Sequence, residues 1–129
     1  MTALPVTSVT ALILGTLLLG LTWLVIAKRR GDGIVLGDEG DRVMLKRIRA
    51  HGNAAEQVPI ALIVMALAEV NGSPAALLWP LALLLIAGRA SHAAYFARHG
   101  LHWRFRVFGM LLTLIAQTGL LLALLIALL

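Results

Sequence analysis

Apolar residues along this chain do not alternate with polar ones; they run on for whole spans. Residues 1–27 carry no ionisable side chain, and 11–27 is almost unbroken Leu, Ile, Val and Ala. The chain closes with residues 107–129, 23 positions without a charge. A bilayer crossing needs about 20 mostly apolar residues at about 1.5 Å rise each, so both segments read as spans. Between them, residues 53–70 carry Glu56 near the start and Glu69 at the end, and 72–88 stays apolar until Arg89. Asn71-Gly72-Ser73-Pro74 reads as a turn, with Ser73 as helix N-cap and Pro74 at the first helical position. The pattern predicts helices at about 3–28, 41–70, 74–99 and 104–128, an all-α, four-transmembrane-helix up-down bundle forming one membrane domain over 1–129.

Composition agrees: 60% hydrophobic, 13% charged and a mean hydropathy of +0.94, against roughly 45–50% apolar and 25% charged for soluble domains. Cysteine is absent, which excludes a disulfide scaffold, a cysteine nucleophile and a thiolate metal site. None of His51, His92, His99 and His102 stands with acidic partners at metal-ligand spacing. The net charge of +5 does not point to nucleic acid, because aromatics are only 5% and the basic residues form two short clusters between apolar runs.

Those clusters orient the bundle. Of eleven Lys and Arg, seven lie in residues 28–49, three in 98–106, and Arg89 stands alone. In up-down order both clusters fall on one side, which the positive-inside rule makes cytoplasmic, with both termini opposite. Lys28, Arg29 and Arg30 follow the first apolar run rather than precede it, so that run is expected to be a retained span, not a cleaved signal. The loop at 31–40 (GDGIVLGDEG) is no P-loop, since no Gly-Lys-Ser/Thr follows.

Charges inside a span cost roughly 2.5–3.5 kcal/mol each on insertion scales and are functional candidates by default. Arg49, Asn53 and Glu56 stand at i, i+4 and i+7, within about 60° of one another around a helix. Arg42 and Lys46 extend that stripe; Arg89 and His92 share a face of helix three, with Phe96 continuing it and Tyr95 beside it, and Arg104 and Arg106 open helix four. Guanidinium groups clamp carboxylates, Glu56 suits an ammonium, and Asn53 suits amide groups, so a small peptide with two carboxylates and one amine would use all three residue types. The plainer alternatives are a structural Arg49–Glu56 ion pair, interfacial anchoring by Arg42, Lys46 and Arg47, and headgroup contacts by Arg98, His99, His102 and Arg104. Trp23, Trp79 and Trp103 suit interface anchoring, Glu69 reads as a helix-end residue, and Pro59 and Pro80 read as kinks, each freeing a carbonyl one turn back.

The segment Lys46 to Pro59 (KRIRAHGNAAEQVP) resembles the helix-two signature of the MAPEG superfamily, membrane-associated proteins of eicosanoid and glutathione metabolism. Lys28-Arg29-Arg30, Leu36 to Asp41 (LGDEGD), Gly88-Arg89-Ala90-Ser91-His92 and Arg104 to Met110 (RFRVFGM) resemble further segments of its short bacterial branch. The resemblance implies a homotrimer with a glutathione site between protomers in the cytoplasmic half of the membrane. It implies that Arg30, Arg49, Asn53, Glu56 and His92 bind glutathione and that Arg106 stabilises its thiolate. It also implies a hydrophobic small-molecule co-substrate drawn from the lipid bilayer. Gln57 stands where many members have Tyr, Phe96 where active eicosanoid enzymes have Tyr, and Val107 where prostaglandin-forming members have Ser, so prostaglandin or leukotriene synthesis is not expected.

Two functions follow: a glutathione-dependent transferase or peroxidase acting on hydrophobic electrophiles or lipid hydroperoxides, or a non-catalytic glutathione-binding or structural protein of the same fold. A small four-helix multidrug exporter ranks below both, because residues 1–27 lack the acidic residue such exporters place in their first span.

Overall fold

A computed structural model describes residues 4–97 and 101–129. Four helices account for nearly all of them: α1 (Pro5–Asp32), α2 (Arg42–Val70), α3 (Ala75–Ala97) and α4 (Arg104–Ala127). Each is long and apolar enough to cross a bilayer, as expected of an integral membrane protein. α1 runs four residues past its expected end at 28, carrying Lys28, Arg29 and Arg30 inside the helix. The expected end of helix three at 99, with Arg98 and His99, lies outside the described residues.

Side-chain bonds fix the up-down order. At one end, Arg47 Nη1 of α2 donates to the Leu24 carbonyl of α1 at 2.8 Å, and Ser91 Oγ of α3 donates to the Phe105 carbonyl of α4 at 3.0 Å. At the other end, the Val6 and Thr7 amides of α1 donate to the Glu69 carboxylate of α2 at 2.8 and 2.9 Å. Arg47 therefore ties α2 to α1. Glu69 is more than a helix-end residue: it caps α1, whose own N-cap position holds Leu4 and offers no side-chain bond. A carboxylate suits that place because the first amides of a helix are unsatisfied and carry partial positive charge.

The turn between α2 and α3 begins at Asn71, whose side-chain amide donates to the Leu67 carbonyl of α2 at 2.8 Å. Gly72 adopts φ +91, and the Ser73 and Gly72 amides return to the Ala68 and Glu69 carbonyls at 2.9 and 3.2 Å. This is a Schellman closure, which a left-handed glycine permits. The expected N-cap role of Ser73 is corrected, since its hydroxyl donates to the Ala123 carbonyl of α4 at 3.2 Å. α2 and α3 remain helical through Pro59 and Pro80.

α2 and α3 form the middle of the molecule. α1 and α4 each pack on both of them and, among the described residues, their backbones do not approach each other closely. The tightest seam is α3 against α4, at paired glycines. A Cβ on Gly109 would lie 2.6 Å from the His92 nitrogen and 2.7 Å from the Gly88 carbonyl oxygen. Towards the termini the four helices enclose an apolar core including Val6, Leu14, Met65, Leu78, Leu85 and Leu120. Towards the basic loops a smaller cluster of Leu21, Ala50, Ala54 and Ala93 joins α1 to α2 and α3, leaving the other flank of α2 free. Trp23, Trp79 and Trp103 are all exposed on the protomer.

Candidate functional site

On that free flank lies a cavity of about 1020 Å³, bounded by the first half of α2, the last turns of α3 and the start of α4. It is at the upper end of the range for small-molecule sites, about 300–1,000 Å³. α2 contributes Lys46, Arg49, Asn53 and Glu56 to its wall, and Gly52 adds no side chain between them. His92, Tyr95 and Phe96 come from α3, and Arg106 with the apolar Met110 and Leu114 from α4. The 3.6-residue period brings the α2 row together, and α4, antiparallel to α3 and so parallel to α2, starts at the same end and brings Arg106 opposite it.

The row is not consumed by itself. Ion pairing among the described residues is confined to Lys28, with Asp32 and with Asp41, so the alternative of a structural Arg49–Glu56 pair is not realised within the protomer. Arg49, Glu56 and Arg106 are all exposed at the cavity. His92 is nearly buried, its ring 5.1 Å from that of Phe96, and Lys46 Nζ sits 5.2 Å over the Tyr95 ring. Tyr95, one residue away from the helix-three register, nevertheless reaches the wall beside Phe96.

Arg89 departs from the sequence-based picture. It does not share a ligand face with His92; it is 2% exposed and points into the α3–α4 seam. Its Nε donates to Thr113 Oγ1 at 2.9 Å and its Nη1 to Asn53 Oδ1 at 2.8 Å. Thr113 in turn donates to the Gly109 carbonyl at 2.8 Å. Thr113 escaped notice in the sequence because one hydroxyl within a long apolar run looks like an ordinary helix residue bonded to its own backbone. Gln117 likewise reaches across to α2, donating to the Gln57 carbonyl at 3.2 Å.

Arg30 is the site residue that this protomer does not bring to the cavity; it is exposed near the end of α1. Nearby, Lys28 reaches Asp41, which also caps α2 through the Val43 and Met44 amides at 2.7 and 2.8 Å. The Lys28 ammonium, and then the Met44 amide, hold the Asp41 carboxyl well below its ordinary range, at about 2.

The MAPEG family model matches residues 7–126, across all four helices and every wall of the cavity. The chain belongs to the MAPEG family. Curated relatives include the inner membrane protein YecN of Escherichia coli K12 and that of E. coli O6:H1. Each is 32% identical over 105 residues, spanning 81% of this chain and 79% of the relative. No solved structure matches the chain. In this MAPEG protein the segment with the family-like helix-two pattern is the one that supplies the charged wall of the cavity.

Proposed function

We propose that the cavity binds glutathione and that the protein is a membrane-bound, glutathione-dependent transferase or peroxidase for hydrophobic electrophiles or lipid hydroperoxides. The observation that carries this reading is the unspent charge of Arg49, Glu56 and Arg106 on one cavity wall. Arg49 takes a carboxylate of the tripeptide, Glu56 its ammonium, and Asn53 and His92 its polar backbone. Arg106, at the α4 side, favours the thiolate over a thiol whose ordinary pKa is about 8.5, and the thiolate is the nucleophile. In conjugation it attacks an electrophilic carbon and displaces the leaving group with its bonding pair. Met110, Leu111 and Leu114 offer an apolar approach from the bilayer.

In this reading the protein is a homotrimer. Exposed Arg49, Glu56 and Arg106 on a protomer's flank cannot face hydrocarbon without a large penalty, and a neighbouring copy both covers them and brings its Arg30 to the open side. Both basic loops face the cytoplasm of a bacterial inner membrane and both termini the opposite side.

Absorbance at the thiolate band, titrated against pH, tests the assignment: bound glutathione ionises below its free value, and Arg106→Ala abolishes that shift. Absence of glutathione binding at millimolar concentration rejects it. A second reading, a binding protein without chemistry, draws on the aromatic wall, where Phe96 brings no hydroxyl. It predicts ligand-dependent thermal stabilisation with no turnover of an aryl halide or a lipid hydroperoxide.

A further inference from the structure

Arg89 is almost wholly buried among three helices, yet its acceptors in the described residues are neutral: a hydroxyl, a carboxamide oxygen and, at 3.7 Å, the Met110 sulfur. A guanidinium has donors only. The arm of Asn53 that faces Arg89 is therefore its oxygen, and the amide nitrogen occupies the other arm of the same planar group. Asn53 borders the cavity, and among the described residues no hydrogen bond engages that nitrogen. Arg89 cannot turn over either, because its Nε is held by Thr113, itself committed to the Gly109 carbonyl at the glycine seam. Each bond in the series has one permitted direction, donated outward from Arg89: through Thr113 to the α4 backbone on one side and to the α2 side chain on the other.

We propose that Arg89 is a positioning residue: it locks the Asn53 carboxamide nitrogen outward, so that Asn53 offers the ligand donors alone and selects a carboxylate or carbonyl oxygen at that point of the wall. A freely rotating asparagine would accept as readily as donate, and would not discriminate between an amide N–H and a carboxylate. The proposal rests on the cavity being a ligand site and takes glutathione as its probe; the lock itself is measurable without any ligand.

The discriminating variant is Asn53→Asp, the same shape with an oxygen on both arms. Against Arg89 it adds an ion pair; against the cavity it replaces the donor with an acceptor. Thermal unfolding of the full-length protein in detergent, without ligand, is measured for the wild type, Asn53→Asp, Arg89→Met and the double variant, with Arg89→Gln as the uncharged background if Arg89→Met does not accumulate. The unfolding midpoint of Asn53→Asp should match or exceed that of the wild type, while the same substitution without Arg89 should lower the midpoint. In calorimetry Asn53→Asp should bind glutathione roughly ten- to a hundredfold more weakly than the wild type, as loss of one hydrogen bond to a charged group implies. A merely structural Asn53 would leave that affinity intact. Equal midpoint shifts in both backgrounds, or unchanged glutathione affinity in Asn53→Asp, would overturn the proposal. A wild type that binds no glutathione would sink the function proposed above, while the midpoint comparison would still decide whether Arg89 holds Asn53.

Discussion

Two glutamates on α2 contrast the two halves of this bundle. Glu69, near the turn into α3, is fully engaged, with both oxygens accepting from the first amides of α1. Glu56, 13 residues earlier and about 20 Å along the same helix, is exposed on the cavity wall and bonded to nothing in its own protomer among the described residues. The half near the termini spends Glu69 internally and packs a large core of Leu, Val, Met and Ala from all four helices. The half near the basic loops has only the small cluster of Leu21, Ala50, Ala54 and Ala93 on one flank and, among the described residues, leaves Arg49, Glu56 and Arg106 without ion-pair partners on the other. On the proposed function, stability and binding fall to different ends of the same four helices, and the Gly88–Gly109 seam with its Arg89 network joins them.

The largest perturbation should come from the seam that both halves share. Gly109→Val places a branched side chain against the backbone of α3, where even a Cβ would stand 2.6 Å from the His92 nitrogen. Because the neighbour is backbone, the helices must separate, at a cost of about 3 kcal/mol or more. Thermal unfolding in detergent should show a large drop, and glutathione binding should fall with it; a midpoint near that of the wild type would mean the two halves are not joined there.

The two glutamates should then separate. Glu69→Gln should destabilise by about 1 kcal/mol, through loss of the charged cap on α1, and leave glutathione affinity unchanged. Glu56→Gln should do the reverse, weakening binding in calorimetry while holding the unfolding midpoint. Identical phenotypes would erase the contrast.

The smallest effect concerns the loop end. Asp41 is depressed from its ordinary 3.8 to about 2, first by Lys28 and then by the α2 backbone. A depressed carboxyl stabilises the folded state above its unfolded pKa and loses that contribution as pH falls through the folded value, so the window lies between about 4 and about 2. Asp41→Asn should remove that portion of the acid sensitivity, read as the difference in unfolding midpoint between pH 5 and pH 2. Its exposure keeps the effect small.

Long uncharged runs of about 20 residues specify four helices because such a segment, crossing lipid by itself, satisfies its backbone internally only as a helix. Helix periodicity alone therefore set Arg49, Asn53 and Glu56 on one face, and sequence order alone brought both basic clusters to one end. Neither reveals whether a polar side chain turns to a ligand, to lipid or to a neighbouring helix, because that choice rests on contacts between residues far apart in the chain. Arg89 and His92, three apart on one helix, look equivalent by periodicity; only the close approach of α4, made possible by Gly88 and Gly109, turns Arg89 towards Thr113 and Asn53 and leaves His92 on the cavity wall. Ser73 and Glu69 repeat the point at the opposite end, each bonding to a helix more than 45 residues away in sequence rather than to its own. Local sequence determined the elements and the faces they present, whereas helix packing, which depends on how closely two backbones can come, decided which polar groups were spent inside the protein and which were left available to a ligand.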